Sequence, residues 1–165
     1  MKILILNWRD IKNPKAGGSE LYFHEMAKRW VTIGHEVVWI TSEWKNCRKR
    51  ENIDGIEIIR SGSEMSFIVK SYFSYKKLKI KPEIILDVEN GLPFFTPIYA
   101  KEKKILHIHH IHDQVWFNEA SGNNLKNKLI AYVGYFLEKY LMPVIYKNTK
   151  VITISKSSEK ELRTS

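Results

Sequence analysis

The stretch KILILNWRDIKNPKAGGSELYFHEMAKRWVTIGHEVVWIT, residues 2–41, predicts the class of fold. Its apolar start, residues 2–8, is typical of a buried strand. A polar loop follows, and residues 19–33 then repeat apolar side chains every three or four positions, which predicts a helix. Gly34 is placed to end that helix in a left-handed conformation, and the apolar run at residues 36–41 predicts a second strand. The predicted inner face of the helix consists of Tyr22, Phe23, Met26, Ala27, Trp30 and Ile33.

The alternation of short apolar runs and helical patterns continues along the chain. It predicts strands at residues 56–60, 83–88, 104–109 and 150–154, and helices at residues 65–80, 93–100, 126–146 and 155–162. Pro143 is expected to kink or end the third of these helices, whose predicted inner face consists of Leu129, Val133, Phe136, Leu137, Tyr140 and Leu141.

This pattern predicts an α/β fold: a Rossmann-like, doubly wound, mainly parallel sheet with helices on both faces. Ligands of such sheets bind at the carboxyl ends of the strands, near the point where the strand order reverses. The predicted ligand-binding loops are therefore those that follow Trp8, Val88, His109 and Ile154.

Composition limits the classes of protein. The 165 residues are 44% hydrophobic and 27% charged, which suits one domain with a core. Cys47 is the only cysteine, so an internal disulfide is excluded. Since no apolar run approaches the roughly 20 residues of a membrane span and no signal peptide is evident, we expect a cytoplasmic protein. The net charge of +9 predicts either an anionic partner or a solvated, lysine-rich surface.

The turn Gly17-Gly18-Ser19-Glu20 stands where the first helix is predicted to begin. Glycines let a backbone come close to a ligand, and the N–H groups of a helix N-terminus favour a phosphate or carboxylate. The Gly-x-Gly-x-x-Gly spacing of dinucleotide sites is absent. A plain loop with Ser19 as the helix cap explains the same residues, so the turn by itself leaves both interpretations open.

A cluster at the end of a predicted strand contains His107, His109, His110, His112 and Asp113. Histidine and aspartate are common metal ligands. However, His107 and His109 share one face of the strand while the other two histidines lie past its end, and no cysteine or second histidine cluster completes a site. We therefore predict no metal centre, and a histidine-dependent metal hydrolase is the less favoured function. Imidazoles that hydrogen-bond at a strand end are a structural alternative.

In their order along the chain, these features resemble the N-terminal half of glycosyltransferase family 4, whose members have the two-domain GT-B fold. The resemblance rests on the first strand, the Gly-Gly-Ser-Glu turn, Gly34-His35-Glu36-Val37, Leu106-His107-Ile108-His109, and the segment from Glu138 to Ser155. It implies that Gly17 and Gly18 approach the donor diphosphate in the cleft between the domains.

The same resemblance implies the roles of individual residues. His109 would be the catalytic histidine that faces the donor sugar, because a neutral imidazole can donate to a sugar hydroxyl. His110 is the alternative, since a slip of one residue reverses the face of a strand. Residues implied to bind substrate are Gly17, Gly18, Ser19, Glu20, Asn90, His110, Gln114, Trp116 and Ser155. An ordinary turn at Asn90 and a helix cap at Ser155 are the structural alternatives.

The resemblance also implies what the complete enzyme does. It would be a retaining glycosyltransferase of the hexosyltransferase type that moves a sugar from a nucleotide-diphosphate sugar to a hydroxyl of a saccharide or lipid-linked acceptor, with no metal or other cofactor. Residues 1–165 would be a single acceptor-side domain, inactive without a donor-binding C-terminal domain in the same or another chain. A non-catalytic module that binds an anion at the Gly-Gly turn is the alternative.

The region Lys70–Lys79 interleaves aromatic residues with lysines. A basic amphipathic helix of this kind lies on acidic membrane surfaces, which predicts a peripheral contact with the inner membrane face. An ordinary helix with its aromatic face in the core is the alternative. No nucleic-acid-binding motif is present, so nucleic acid is not predicted as a partner.

Overall fold

The computed structural model describes residues 1–64, 66–108 and 125–153. Within these ranges seven strands form one sheet: β1 (Lys2–Leu6), β2 (Glu36–Thr41), β3 (Arg50–Ile53), β4 (Ile56–Arg60), β5 (Ile84–Glu89), β6 (Lys103–Ile108) and β7 (Lys150–Thr153). Their order is β3-β4-β2-β1-β5-β6-β7, and every neighbouring pair is parallel except β3 with β4. Without β3, this is the strand order of a Rossmann-like, doubly wound sheet. The predicted fold class is therefore confirmed.

The described helices are α1 (Gly18–Thr32), α2 (Phe67–Lys76), α3 (Thr96–Tyr99), α4 (Leu125–Phe136), a π-helical segment (Leu137–Leu141) and α5 (Met142–Tyr146). The predicted strands at residues 36–41 and 56–60 match the structure, and β1, β5, β6 and β7 begin and end within two residues of their predicted bounds. Helix α2 is shorter than predicted by several residues. The predicted helix at residues 155–162 lies outside the described residues.

The sequence pattern did not predict β3, which forms a hairpin with β4. Asp54 and Gly55 link the two strands, and both have positive φ angles, 52° and 83°. This is the backbone of the two-residue turns that Asp-Gly favours in hairpins. The strand was missed because Arg50, Glu51 and Asn52 give it no apolar alternation, as is common at the edge of a sheet.

Helices pack on both faces of the sheet. On one face, Phe23 and Ala27 of α1 lie against Ile3, Ile5 and Trp39. On the other face, α2, α3 and α5 cover side chains that include Leu4, Leu6, Ile85, Leu106 and Ile108. The predicted inner face of α1 is wrong at two positions, since Tyr22 is 49% and Ile33 is 69% exposed. Both lie on the side of the helix away from the buried positions 20, 23, 24 and 27.

The predicted inner face of the helix at residues 126–146 is also wrong. Val133, Phe136, Tyr140 and Leu141 are exposed, and Leu137 is only half-buried. The side chain of Leu129 lies outside the described residues. The positions that turn inward are Ala131, Gly134, Glu138, Met142 and Tyr146. Pro143 does not end the helix, which continues to Tyr146; the π-helical segment ends at Leu141, two positions before the proline. A proline removes one N–H and displaces the carbonyl four residues earlier, and the wider π turn accommodates this.

Candidate functional site

The strand order reverses between β1 and β5. From β1 the chain moves outward to β2 and β4, and it returns to β5 on the other side of β1 before it continues to β6 and β7. In open α/β sheets, ligands usually bind in a crevice between the loops that follow the two strands on either side of such a reversal, here β1 and β5. The loop after β1 carries Gly17 and Gly18, and the loop after β5 carries Asn90.

The two glycines lie exposed at the N-terminus of α1. Gly17 is the N-cap residue with an extended backbone, φ −133° and ψ −155°, and its carbonyl accepts the first helical hydrogen bond from Leu21 at 3.1 Å. Among the described residues, a Cβ at Gly18 would meet nothing within 4 Å, and one at Gly17 would meet only Glu20 Oε2 at 3.7 Å. Neither a left-handed φ nor tight packing against the described residues requires glycine at these two positions.

Glu20 is buried, with 2% of its surface exposed. Its Oε2 accepts a hydrogen bond from the Gly17 N–H at 2.7 Å, which holds the turn against the first helical residues. Its Oε1 is buried and has no hydrogen-bond partner among the described residues. Ser19 is half-buried in the first turn, and the cap is Gly17 rather than the expected Ser19. The predicted substrate contacts of Ser19 and Glu20 remain predictions.

The loops after β1 and β5 are joined across the crevice. The Trp8 indole N–H donates to the Leu92 carbonyl at 2.9 Å, and its ring lies 5.8 Å from that of Phe94. Asn90 is half-buried beside Gly91, whose φ is 109°. Phe95 has a left-handed backbone at φ 54°, a conformation that is costly for an aromatic residue and is found most often near functional sites.

Asp87, fully buried in β5, organises the chain segment that follows it. Its carboxylate accepts hydrogen bonds from the Phe94 N–H at 2.9 Å, the Thr96 hydroxyl at 2.7 Å and the Tyr146 hydroxyl. Burial raises the pKa of Asp87, and these hydrogen bonds oppose the rise. Burial, together with the charge of Asp87, also raises the pKa of Tyr146. The group ties β5, α3 and α5 together below the crevice.

Glu89 ends β5 at the crevice and is fully buried. Its Oε1 accepts from the Gly91 N–H at 2.7 Å. Burial and the nearby charge of Glu138, with a smaller effect from Asp87, raise the pKa of Glu89 to about 8. A pKa raised to about 8 favours the protonated form of Glu89 at neutral pH, and that form is able to donate a hydrogen bond. Glu138 is itself buried in the π-helical segment, a type of helix that is frequent at functional sites.

His107 is the one member of the histidine cluster that lies within the described residues. It is 4% exposed, and its ring lies 4.8 Å from Phe23 and 6.0 Å from Tyr22, so it faces α1. His109, His110, Gln114, Trp116 and Ser155 lie outside the described residues, and their predicted roles remain predictions. In residues 1–64, 66–108 and 125–153, no group of three histidine, cysteine or acidic side chains is arranged to hold a metal ion.

Comparison with known proteins places this fold in a family. The family model described as Glycosyltransferase Family 4 matches residues 16–165, which begin one residue before the Gly-Gly turn. The chain belongs to glycosyltransferase family 4.

A solved structure supports the same fold for this family 4 domain. The sucrose-phosphate synthase of Thermosynechococcus elongatus is 15% identical and superposes with a TM-score of 0.66 over 99% of this chain. The matched part is 44% of that chain, so the family 4 domain described here spans less than half the length of the synthase. At this identity the similarity shows the fold alone. No curated protein matched the sequence.

A second polar cluster of the family 4 domain, not predicted from the sequence, lies on the β4 side of the same edge. Arg60, at the end of β4, donates to Asp10 at 2.7 and 3.0 Å and to Glu51 Oε2 at 2.9 Å. The Asp10 and Arg60 side chains are at most 1% exposed. An acidic residue and an arginine 50 positions apart carry no local signal, because only the fold brings them together.

The exposed surface of helix α2 and the residues after it is apolar and basic. Helix α2 buries Phe67 and Ser71 and exposes Val69 and Phe73, with lysines alongside at Lys70, Lys76, Lys77 and Lys79. The predicted contact of this region with an acidic membrane remains a prediction. Among the described residues, no helix combines the length and the hydropathy that a membrane crossing requires.

Proposed function

We propose that this chain is the acceptor-side domain of a retaining, hexosyl-transferring enzyme of the GT-B type. The reaction moves a sugar from a nucleotide-diphosphate sugar to a hydroxyl of a saccharide or lipid-linked acceptor. A donor-binding domain, in the same or a separate chain, closes over the carboxyl edge of the sheet and completes the enzyme.

One observation carries the proposal: the exposed Gly17-Gly18 turn at the open carboxyl edge of a family 4 domain. In the part of the chain that the structure describes, nothing requires glycine at residue 18, where a Cβ would meet no atom within 4 Å. The N–H groups at the start of α1 and the helix dipole favour an anion at this place. A diphosphate that leaves during sugar transfer gains negative charge, and fixed N–H donors stabilise that charge in the transition state.

The acceptor hydroxyl and the anomeric carbon must meet in the crevice between β1 and β5. The loops that hold Gly17 and Asn90 border this crevice from opposite sides, and Trp8 joins them. We propose that His109, which follows β6 directly, contacts the donor sugar. In this scheme the domain contributes mainly by positioning the reactants.

The test is sugar transfer by the full-length protein, measured with a panel of nucleotide-diphosphate sugars and simple glycoside acceptors. Gly18→Val is expected to lower kcat/KM by roughly 100-fold, because a branched side chain would displace the diphosphate from the turn. The midpoint of thermal unfolding is expected to stay unchanged, since Gly18 has open space around it. Thr32→Val places the same side chain at the exposed far end of α1 and should transfer at the original rate.

His109→Ala is the second variant, and we expect it to transfer far more slowly. Full activity of both Gly18→Val and His109→Ala would remove the site assignment. Absence of transfer with every donor, together with binding of a nucleotide diphosphate alone, would favour the anion-binding module instead. A chelator is expected to leave the transfer rate unchanged, and complete loss of activity would favour a metal-dependent hydrolase.

A further inference from the structure

A second cleft opens at the carboxyl edge of the sheet, on the β4 side of the Gly-Gly turn. Its volume is about 420 Å³. Three loops line it: the loop after β1 with Asn13 and Lys15, the loop after β2 with Glu43 and Trp44, and the loop after β4 with Ser63 and Glu64. Lys15 stands two residues before Gly17, so the cleft adjoins the turn to which we assign the donor diphosphate.

Trp44 gives the cleft a rigid aromatic surface. The guanidinium of Arg60 lies 4.4 Å from the centre of the indole ring and occupies one of its faces. Arg60 is fixed in turn by its hydrogen bonds to Asp10 and Glu51. Trp44 lines the cleft, and this contact with Arg60 holds its ring in place before any ligand binds.

Polar groups surround this surface at the rim. Glu43 Oε1 accepts from the Gly62 N–H at 3.2 Å, and no described residue donates to its second oxygen. Lys15 Nζ lies 2.9 Å from Glu64 Oε1, and Arg9 lies 3.8 Å from the same carboxylate oxygen. Carboxylates accept hydrogen bonds from hydroxyl groups, and an ammonium group donates to them.

We propose that this cleft binds a sugar ring of the acceptor and that Trp44 and Glu43 determine which acceptor is accepted. The inference rests on the proposed function. The C–H face of a pyranose packs on the free face of Trp44, and its hydroxyls reach the Glu43 carboxylate and the Lys15–Glu64 pair. A few polar groups around an aromatic surface are typical of sites for small neutral ligands. The two carboxylates, Glu43 and Glu64, make the cleft a poor site for a phosphate despite the basic chain.

The first experiment uses methyl glycosides of glucose, galactose, mannose and N-acetylglucosamine as probes of the full-length protein. Saturation-transfer NMR should show magnetisation on the ring C–H protons of at least one glycoside. Trp44→Ala is expected to weaken this binding by roughly tenfold, and Glu43→Gln to weaken it without any change in thermal unfolding. Trp44→Phe keeps an aromatic ring and should retain most of the binding. Phe73→Ala, a matched loss of a half-exposed aromatic ring on α2, should bind like the original protein.

The second experiment measures transfer kinetics with the same variants. Trp44→Ala and Glu43→Gln should raise KM for the acceptor roughly tenfold and leave KM for the donor unchanged. An unchanged acceptor KM in both variants, with transfer intact, would overturn the assignment of the cleft while the proposed function stands. Absence of all transfer, with glycoside binding still lost in Trp44→Ala, would refute the proposed function and leave sugar binding by the cleft supported. No glycoside signal in the original protein, or the same signal in Trp44→Ala, would overturn the inference.

Discussion

Two buried polar clusters flank the point where the strand order reverses, and they bury charge in opposite ways. On the β4 side, Arg60 is enclosed with the acids Asp10 and Glu51. Burial lowers the pKa of Arg60, but hydrogen bonds to Asp10 and Glu51 more than offset it, so the group stays charged. On the β5 side, Glu89 lies near another buried acid, Glu138, and burial raises the pKa of Glu89 to about 8.

The difference shows two solutions to one physical problem. Burying a charged group is costly. The group either pairs with a partner of opposite charge or, if it is an acid, takes up a proton and becomes neutral. The paired cluster of Asp10, Glu51 and Arg60 forms a fixed support for Trp44. The acid-rich cluster responds to pH and lies beside the crevice. The following predictions test this contrast, from the largest expected effect to the smallest.

Mutation of the paired cluster should cause the largest loss in the free energy of unfolding. Asp10→Ala leaves the guanidinium of Arg60 buried with only Glu51 as a charged partner, and we expect it to lower the free energy of unfolding by about 3–5 kcal/mol. Urea unfolding followed by circular dichroism measures this change. Lys12→Ala is the matched control, because it removes an exposed partner of Glu51, and it should cost less than about 1 kcal/mol. Equal losses of unfolding free energy in Asp10→Ala and Lys12→Ala would show that the buried Arg60 does not depend on Asp10 as its partner.

The acid-rich cluster of Glu89 and Glu138 should make the free energy of unfolding depend on pH. The pKa of Glu89 is raised in the folded state to about 8, above its ordinary value of 4.5, so the folded protein binds more protons than the unfolded chain between these values. The stabilisation is fully present below pH 4.5 and is lost as the pH rises through 8.

Glu89→Gln removes this titration. Relative to the variant, the original protein should lose stability by up to about 1.4 kcal/mol per pH unit across that window. Thermal unfolding at a series of pH values measures the difference. Glu25→Gln, at an exposed position of α1, should show the same pH dependence of thermal unfolding as the original protein. A Glu89→Gln difference that does not change with pH, or that grows in the opposite direction, would show that Glu89 is ionised in the folded state.

A smaller effect is expected at Asp87, the other buried acid of β5, where Tyr146 of α5 contacts it. Tyr146→Phe removes the hydroxyl that donates to Asp87 and accepts from the Thr96 N–H at 3.2 Å. We expect a loss of about 1–2 kcal/mol in the free energy of unfolding. Tyr140→Phe, on the exposed side of the π-helical segment, should change stability by less than about 0.5 kcal/mol. Similar losses in both variants would indicate that the Tyr146 hydroxyl contributes nothing specific.

The sequence predicted the sheet well because parallel strands are buried on both faces and appear as uninterrupted apolar runs. It also predicted that the Gly-Gly turn and Asn90 lie at the same edge, since both follow strands of one parallel sheet. The acids of β5 were missed although a signal was present: Asp87 and Glu89 alternate within an apolar run and must share one face of a buried strand.

The inner face of the long helix was predicted wrongly for a different reason. The hydrophobic pattern predicts that the larger apolar side chains face inward, whereas Ala131 and Gly134 face inward in the structure and Val133 and Phe136 are exposed. Small residues let a helix lie close to its neighbours, and a pattern of hydrophobicity does not record that distance. The pairing of Arg60 with Asp10 was likewise beyond prediction, since it depends on the meeting of a strand end and a loop that are 50 positions apart in the chain.

The π-helical segment Leu137–Leu141 has a geometric consequence for the whole β5 side. The inward positions Gly134, Glu138, Met142 and Tyr146 are spaced by four, and in a regular α-helix such a series rotates by about 40° at each step. The wider π turn absorbs that rotation, so the end of the helix still points at the sheet. The surplus residue of the π turn thus brings the Tyr146 hydroxyl to the carboxylate of Asp87, 59 positions earlier in the chain. A relative of this domain that lacks the surplus residue must satisfy its counterpart of Asp87 from some other element.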